Sequence, residues 1–120
     1  MSEVFSLIHR PSGQIVATVR RADGWWAKGW GVLGWRSLPP GQGLWLPGVS
    51  AVHTLFVRFP LDLLFLDADL TTLRTVPNVP AWTPLVRARG AHHTVELGAG
   101  TLVLAGIAAR MGEQWELGAL

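Results

Sequence analysis

The sequence predicts a mainly β fold: a β-sandwich or partly closed barrel of short strands with two short helices. Three observations predict it. Short runs rich in Val, Leu, Ile and Phe recur along the chain, separated by Gly- and Pro-containing turns. Only two stretches have helical character, and both are short. The 120 residues are 49% hydrophobic and 15% charged, which suits one compact core spanning 1–120 and argues against disorder.

Val4 to Ile8 and Gln14 to Arg20 read as strands around a Pro11-Ser12-Gly13 turn, with Ile15, Ala17 and Val19 on one face. Asp23 stands where a helix N-cap belongs. Beyond it Trp26, Trp30 and Leu33 fall at i, i+4 and i+7, one helical face, so Trp26 and Trp30 are expected in the core. Trp25 and Trp35 are expected to be partly exposed. Gly24, Gly29, Gly31 and Gly34 weaken this helix.

Leu38 to Gly43 is a rigid loop, and Leu44 to Leu46 a short strand. Val52 to Phe59 and Leu61 to Asp67 are the strongest strand candidates. A turn at Asp67 to Asp69 leads to a strand over Thr71 to Val76. Pro77, Pro80 and Pro84 mark a loop centred on Trp82. Thr94 to Leu97 and Gln114 to Leu117 complete the strands, with the second helix expected over Thr101 to Ala109.

The absence of cysteine excludes disulfides, thiolate metal sites and a cysteine nucleophile. Ten Lys and Arg against eight Asp and Glu leave a net charge of +2. The basic residues are scattered apart from Arg20-Arg21, which argues against a nucleic-acid face. The first residues lack the pattern of a signal peptide, and no run approaches the ~20 apolar residues of a membrane span, so a cytoplasmic location is expected.

The run His53 to Asp67 joins two apolar segments through Phe59-Pro60 and carries His53, Arg58 and Asp62. On a strand, Asp62, Leu64 and Leu66 share one face, and Leu61, Leu63 and Phe65 the other. A carboxylate aligned with leucines needs partners. Arg58 is the expected one, either as a structural ion pair or in a pocket where Arg58 holds an anion and Asp62 orients a donor.

Several stretches together resemble a prokaryotic family, the domain of unknown function 192. Ala22-Asp23, Gly31-Val32-Leu33-Gly34, Leu38-Pro39-Pro40-Gly41 and Gly43-Leu44 resemble its opening segment. Val52-His53-Thr54, Arg58-Phe59-Pro60-Leu61-Asp62 and Phe65-Leu66-Asp67 resemble its central signature. Glu96-Leu97, Ala99-Gly100 and Gly106-Ile107 resemble its closing motif. The resemblance spans roughly residues 15 to 117. It implies a mainly β, sandwich-like fold and no particular reaction. The chain departs from the family pattern at Trp35, where an arginine is usual and Arg36 follows instead. Gln42, Gly48 and Val57 replace a frequent glutamate, cysteine and methionine.

Catalytic and metal patterns are weak. Gly48-Val49-Ser50-Ala51-Val52 lacks the last glycine of a nucleophile elbow, which argues against Ser50, His53 and Asp62 as a hydrolase triad. On an extended strand His92 and Glu96 lie about 13 Å apart, with His93 on the opposite face, too far for one ion. Gly29-x-Gly31-x-x-Gly34 lacks the strand and acidic residue of a dinucleotide site, so its glycines are read as packing aids.

The resulting expectation is a binding or interaction module without catalysis, cofactor or metal. Its candidate surface comprises Arg36, His53, Arg58, Asp62 and Trp82, and its partner is a small polar ligand or a protein. A hydrolase using His53 and Asp62 as an acid–base pair is the alternative. Membrane-surface association through the Trp-rich helix is a weaker one. The sequence leaves a homo-oligomer open.

Overall fold

The computed structural model describes residues 3–107 and 110–120; the side chains of Trp25 and Trp26 lie outside the described set. The elements in chain order are β1 (Val4–His9), β2 (Gln14–Arg21), α1 (Gly24–Trp30), β3 (Gln42–Pro47), β4 (Ala51–Val52), β5 (Leu61–Leu66), β6 (Thr72–Val79), β7 (Val86–Arg87), β8 (His93–Gly98), α2 (Thr101–Leu104) and β9 (Trp115–Ala119). Seven strands form one sheet in the order β6-β5-β8-β3-β2-β1-β9, and β4 pairs with β7 in a separate ribbon.

The sheet is curled into a half-barrel, the second of the two expected forms. Its edges approach at one end. Thr71 bridges Gln114, Thr72 N–H donates to Glu113 O and Trp115 N–H to Leu70 O. Among the described residues only β2 and β3 run parallel, because α1 and its following loop supply the crossover that parallel pairing requires.

The curl buries one face of the central strands, and α1 with the ribbon buries the other. All six β5 residues are buried, and they alternate between two cores. Leu61, Leu63 and Phe65 join Leu44 and Leu46 under α1 and the ribbon. Leu64 and Leu66 join Val95, Leu97, Leu102 and Trp115 inside the half-barrel. This is the partition of faces that the strand period predicts.

Several expectations change. Val52 to Phe59 is strand only at Ala51–Val52. Beyond it, local bonds replace the ladder: Leu55 N–H donates to His53 Nδ1, and Val57 N–H to Thr54 O. Conversely, β6 runs past Pro77 to Val79, with Pro77 and Asn78 bulged opposite Asp62.

The helical face of Trp26, Trp30 and Leu33 also breaks. α1 ends at Trp30, so Leu33 lies in the following turn, and Trp30 is 48% exposed rather than core. Trp26 lies outside the described side chains. Trp35 is half-buried against the core. The second helix stops at Leu104, where Ala105 and Gly106 turn the chain; Ala108 and Ala109 lie outside the described residues. No helix among the described residues is long and apolar enough to cross a membrane.

Candidate functional site

Glu96 occupies the middle of β8. Antiparallel pairing places it directly opposite Leu44 of β3 on one side and Leu63 of β5 on the other. Its side chain therefore rises into an apolar layer and is only 3% exposed. Burial pushes its carboxyl up from 4.5 to about 8, with no opposing contribution from a charge or hydrogen bond. At neutral pH Glu96 thus carries its proton and is an O–H donor.

The end of α1 folds over this carboxyl. Gly31 follows the helix with φ 53° and ψ −127°, a conformation that only glycine adopts readily, and its N–H caps Ala27 O. A Cβ at Gly31 would stand 2.7 Å from Glu96 Oε1, so the turn closes onto the carboxyl only because no side chain is there. Gly29 and Gly34 face open space, so the packing role expected of these glycines belongs to Gly31 alone.

Between this turn and the chain from Ala51 to Val57 lies a cleft of about 180 Å³. Lys28, Gly31, Val32, Val52, His53, Val57 and Glu96 are among its lining residues. Lys28 is the sole lysine of the chain. His53 Nδ1 accepts the Leu55 N–H at 3.2 Å, which leaves its ring proton on Nε2 as a donor.

The five residues expected at a site are not brought together. His53 alone lines this cleft. Asp62 is 1% exposed and is turned into the half-barrel. Its Oδ1 accepts the Asn78 N–H at 2.8 Å, and its Oδ2 accepts those of Gly100 at 3.1 Å and Leu102 at 3.4 Å. The β6 bulge and the start of α2 thus supply what Arg58 was expected to supply; Arg58 is exposed, as is Arg36. No Arg58–Asp62 ion pair occurs among the described residues. Its carboxyl is sealed inside the half-barrel and does not line the cleft that His53 lines.

Trp82 stands at the tip of its loop, 58% exposed, against Phe56, 65% exposed, with ring centroids 4.6 Å apart. Both residues have left-handed backbone, φ 67° and 63°, which bulky side chains rarely adopt. The buried Thr54 holds the two loops together: Trp82 N–H donates to its carbonyl and Thr83 N–H to its hydroxyl.

Away from the cleft, Ser12 Oγ lies 2.8 Å from His9 Nδ1, and His9 Nε2 lies 3.3 Å from Glu113. Ser12 Oγ also accepts the Gln14 N–H and faces His9 O, so this trio caps the β1–β2 hairpin and ties it to the approach to β9.

Sequence reasoning weighed Glu96 as a metal ligand and as part of the DUF192 closing motif, and Lys28 only as one of the basic residues beside the tryptophans of α1. The signal for Glu96 was available, since a carboxylate between Val95 and Leu97 poses the same question as Asp62 beside its leucines.

The model of the DUF192 family, described as an uncharacterized ACR, matches residues 7–113. The chain belongs to the DUF192 family. The three separated stretches that carry the DUF192 resemblance meet at the cleft, through Gly31-Val32-Leu33, Val52-His53 and Glu96. None of the curated proteins matches the sequence. Two bacterial crystal structures share the fold. One, from Sinorhizobium meliloti 1021, is described as a candidate transcription regulator; it is 24% identical, with TM-score 0.81 over 98% of this chain and 94% of its own. The other, a protein of unknown function from Novosphingobium aromaticivorans DSM 12444, is 18% identical, with TM-score 0.76 over 95% and 83%. At these identities the likeness speaks to the fold of DUF192 and not to its role.

Proposed function

We propose that this DUF192 chain is a non-catalytic binding module whose small polar ligand sits in the cleft of Lys28, His53 and Glu96. One observation carries the reading: Glu96 stands between two leucines at the cleft with burial as the one influence on its carboxyl. A buried carboxyl with no partner among the described residues opposes folding, and such groups concentrate where they do chemistry or recognition. The cleft combines apolar walls with a few convergent polar groups, the usual build of a binding site. Of the surface expected from sequence, His53 stays in the site, while Arg36, Arg58 and Trp82 are left to outer contacts.

The test is the thermal stability of Glu96→Gln and Glu96→Leu. A carboxyl kept for binding at a cost to the fold gives variants that melt above the unaltered protein at pH 8. If both melt lower, Glu96 belongs to the scaffold and the reading fails.

The Phe56–Trp82 pair supports a second reading, a protein contact. Two exposed aromatics held on costly left-handed backbone resemble the anchors of interfaces. For contact with a second copy, sedimentation velocity should show association that Trp82→Ala abolishes. A monomer at all concentrations would end that version.

A further inference from the structure

We propose that a second cleft, on the outer face of β1, β2 and β3, binds a sugar acid through Thr18, Arg20, Gln42 and Trp35. It shares no lining residue with the cleft of Glu96, so the inference stands apart from the reading above.

The strand register brings the floor together. Thr18 and Arg20 lie two positions apart on β2 and share a face, about 7 Å from each other. Parallel pairing sets Gln42 of β3 opposite Thr18, about 4.8 Å away. Antiparallel pairing sets Val4 of β1 opposite Arg20. Ala17 and Val19 lie on the other face, inside the half-barrel. Leu44, opposite Arg20 on β3, belongs to the core against which the half-buried Trp35 packs, so Trp35 forms a wall of the cleft beside this floor.

The other wall, Pro40 and Gly41, is fixed by its neighbours. Gly41 O accepts the Thr18 N–H at 2.9 Å, and Gly41 N–H donates to the buried Thr101 hydroxyl at 3.1 Å. A Cβ at Gly98 would overlap Pro39 O, so this loop is seated on the backbone of β8. A cleft framed in this way is formed before a ligand arrives, as small-molecule sites usually are. Its volume of about 510 Å³ falls in the range of such sites, ~300–1,000 Å³.

The ligand class follows from what each group offers. Arg20 presents a planar fork of donors and no acceptor, a match for a carboxylate. No ion pair holds it among the described residues, and no acid lines the cleft. The Thr18 hydroxyl and the Gln42 amide each donate and accept. Side by side across two strands, they match neighbouring hydroxyls, which do both as well. The Trp35 indole adds a broad apolar surface for the face of a ring. A pyranose bearing hydroxyls and a carboxylate engages all of these groups. A nucleobase edge, with fixed donors and acceptors, makes less of the Thr18–Gln42 pair.

The test titrates the full chain with methyl β-D-glucuronide, methyl β-D-glucoside, cyclohexanecarboxylate and adenosine monophosphate. Binding is read from the Trp35 indole N–H and the Gln42 side-chain amide in 1H–15N spectra. The glucuronide should shift both signals and bind about tenfold or more tightly than the glucoside, the usual effect of one charged hydrogen bond. It should exceed cyclohexanecarboxylate and the nucleotide by about fivefold, the effect of one neutral hydrogen bond. Arg20→Met should remove the advantage over the glucoside, and Thr18→Val the advantage over cyclohexanecarboxylate. Both positions are exposed, so the rest of each spectrum should keep its folded pattern. The four probes on the unaltered protein test the proposal without either variant.

Equal binding of glucuronide and glucoside overturns the proposal, as does equal binding of glucuronide and cyclohexanecarboxylate. Tighter binding of the nucleotide overturns it in favour of base stacking. Preferences left unchanged in both variants, or no shift at Trp35 and Gln42 with any probe, overturn it as well.

Discussion

Asp62 and Glu96 are both buried carboxyls of the same sheet, and their surroundings give them opposite consequences. Asp62 receives three backbone N–H groups, two from the start of α2, where a carboxylate is favoured. Asp62→Asn keeps the shape but turns one acceptor into a donor facing an N–H. It should lower unfolding free energy by about 1–3 kcal/mol in a urea titration. Glu96 behaves in the reverse sense. Its folded value of about 8 lies above the ordinary 4.5, so the folded state binds more protons than the unfolded state between those values. Its contribution to stability is complete below about pH 4.5, declines as pH rises, and is exhausted above about pH 8. The span corresponds to roughly 3–6 kcal/mol. Chemical denaturation across that pH range should show a downward slope that Glu96→Gln flattens. An unaltered slope in the variant would reassign the effect to another group.

At the scale of elements, the end of α1 is shaped by one glycine. Gly31→Ala would put a Cβ against Glu96 Oε1 and hold alanine at φ 53°, so a loss of about 2 kcal/mol or more is expected. Gly29 lies inside the same helix with open space where its Cβ would go. Gly29→Ala should therefore stabilise by about 0.5–1 kcal/mol. Denaturation midpoints of the two variants should move in opposite directions; parallel movement would mean that the turn is not seated on Glu96. The loop pair of Phe56 and Trp82 shows a related conflict. Residues 52–59 read as strand by composition, yet Phe56 turns left-handed and Thr54 is occupied by the neighbouring loop. Apolar content alone does not distinguish a strand from a loop whose apolar residues, here Val57 and Phe59, pack against a core.

For the whole molecule, the decisive event is the approach of the sheet's two edges. Thr72 sits at that seam: its hydroxyl donates to Glu113 O and accepts the Trp115 indole N–H, both at 2.8 Å. Thr72→Val conserves shape while leaving the buried Trp115 indole N–H without its partner; the Glu113 carbonyl keeps the Thr72 backbone N–H. A loss of about 1–3 kcal/mol is expected, with earlier hydrogen exchange at Trp115 than in β5. Uniform exchange across both strands would instead mean that the seam opens only with the entire sheet. Closure encloses one sheet face, and α1 with the β4–β7 ribbon covers the other, so β8 presents Val95 and Leu97 to the first core and Glu96 to the second.

The sequence by itself determined the mainly β class, most of the strands of the large sheet, the two faces of β5 and the DUF192 resemblance. These follow from local periodicity and turn residues, which act over a few positions. It also showed that Asp62 had to find partners. Only the tertiary structure decided which ones, because Asn78, Gly100 and Leu102 lie 16, 38 and 40 positions away. The same holds for the cleft. Lys28, His53 and Glu96 come to line one cleft only through the crossover of α1, the end of β4 and the centre of β8. The position of Glu96 between Val95 and Leu97 poses the question locally, and the burial that raises its carboxyl comes from neighbours on strands distant in sequence.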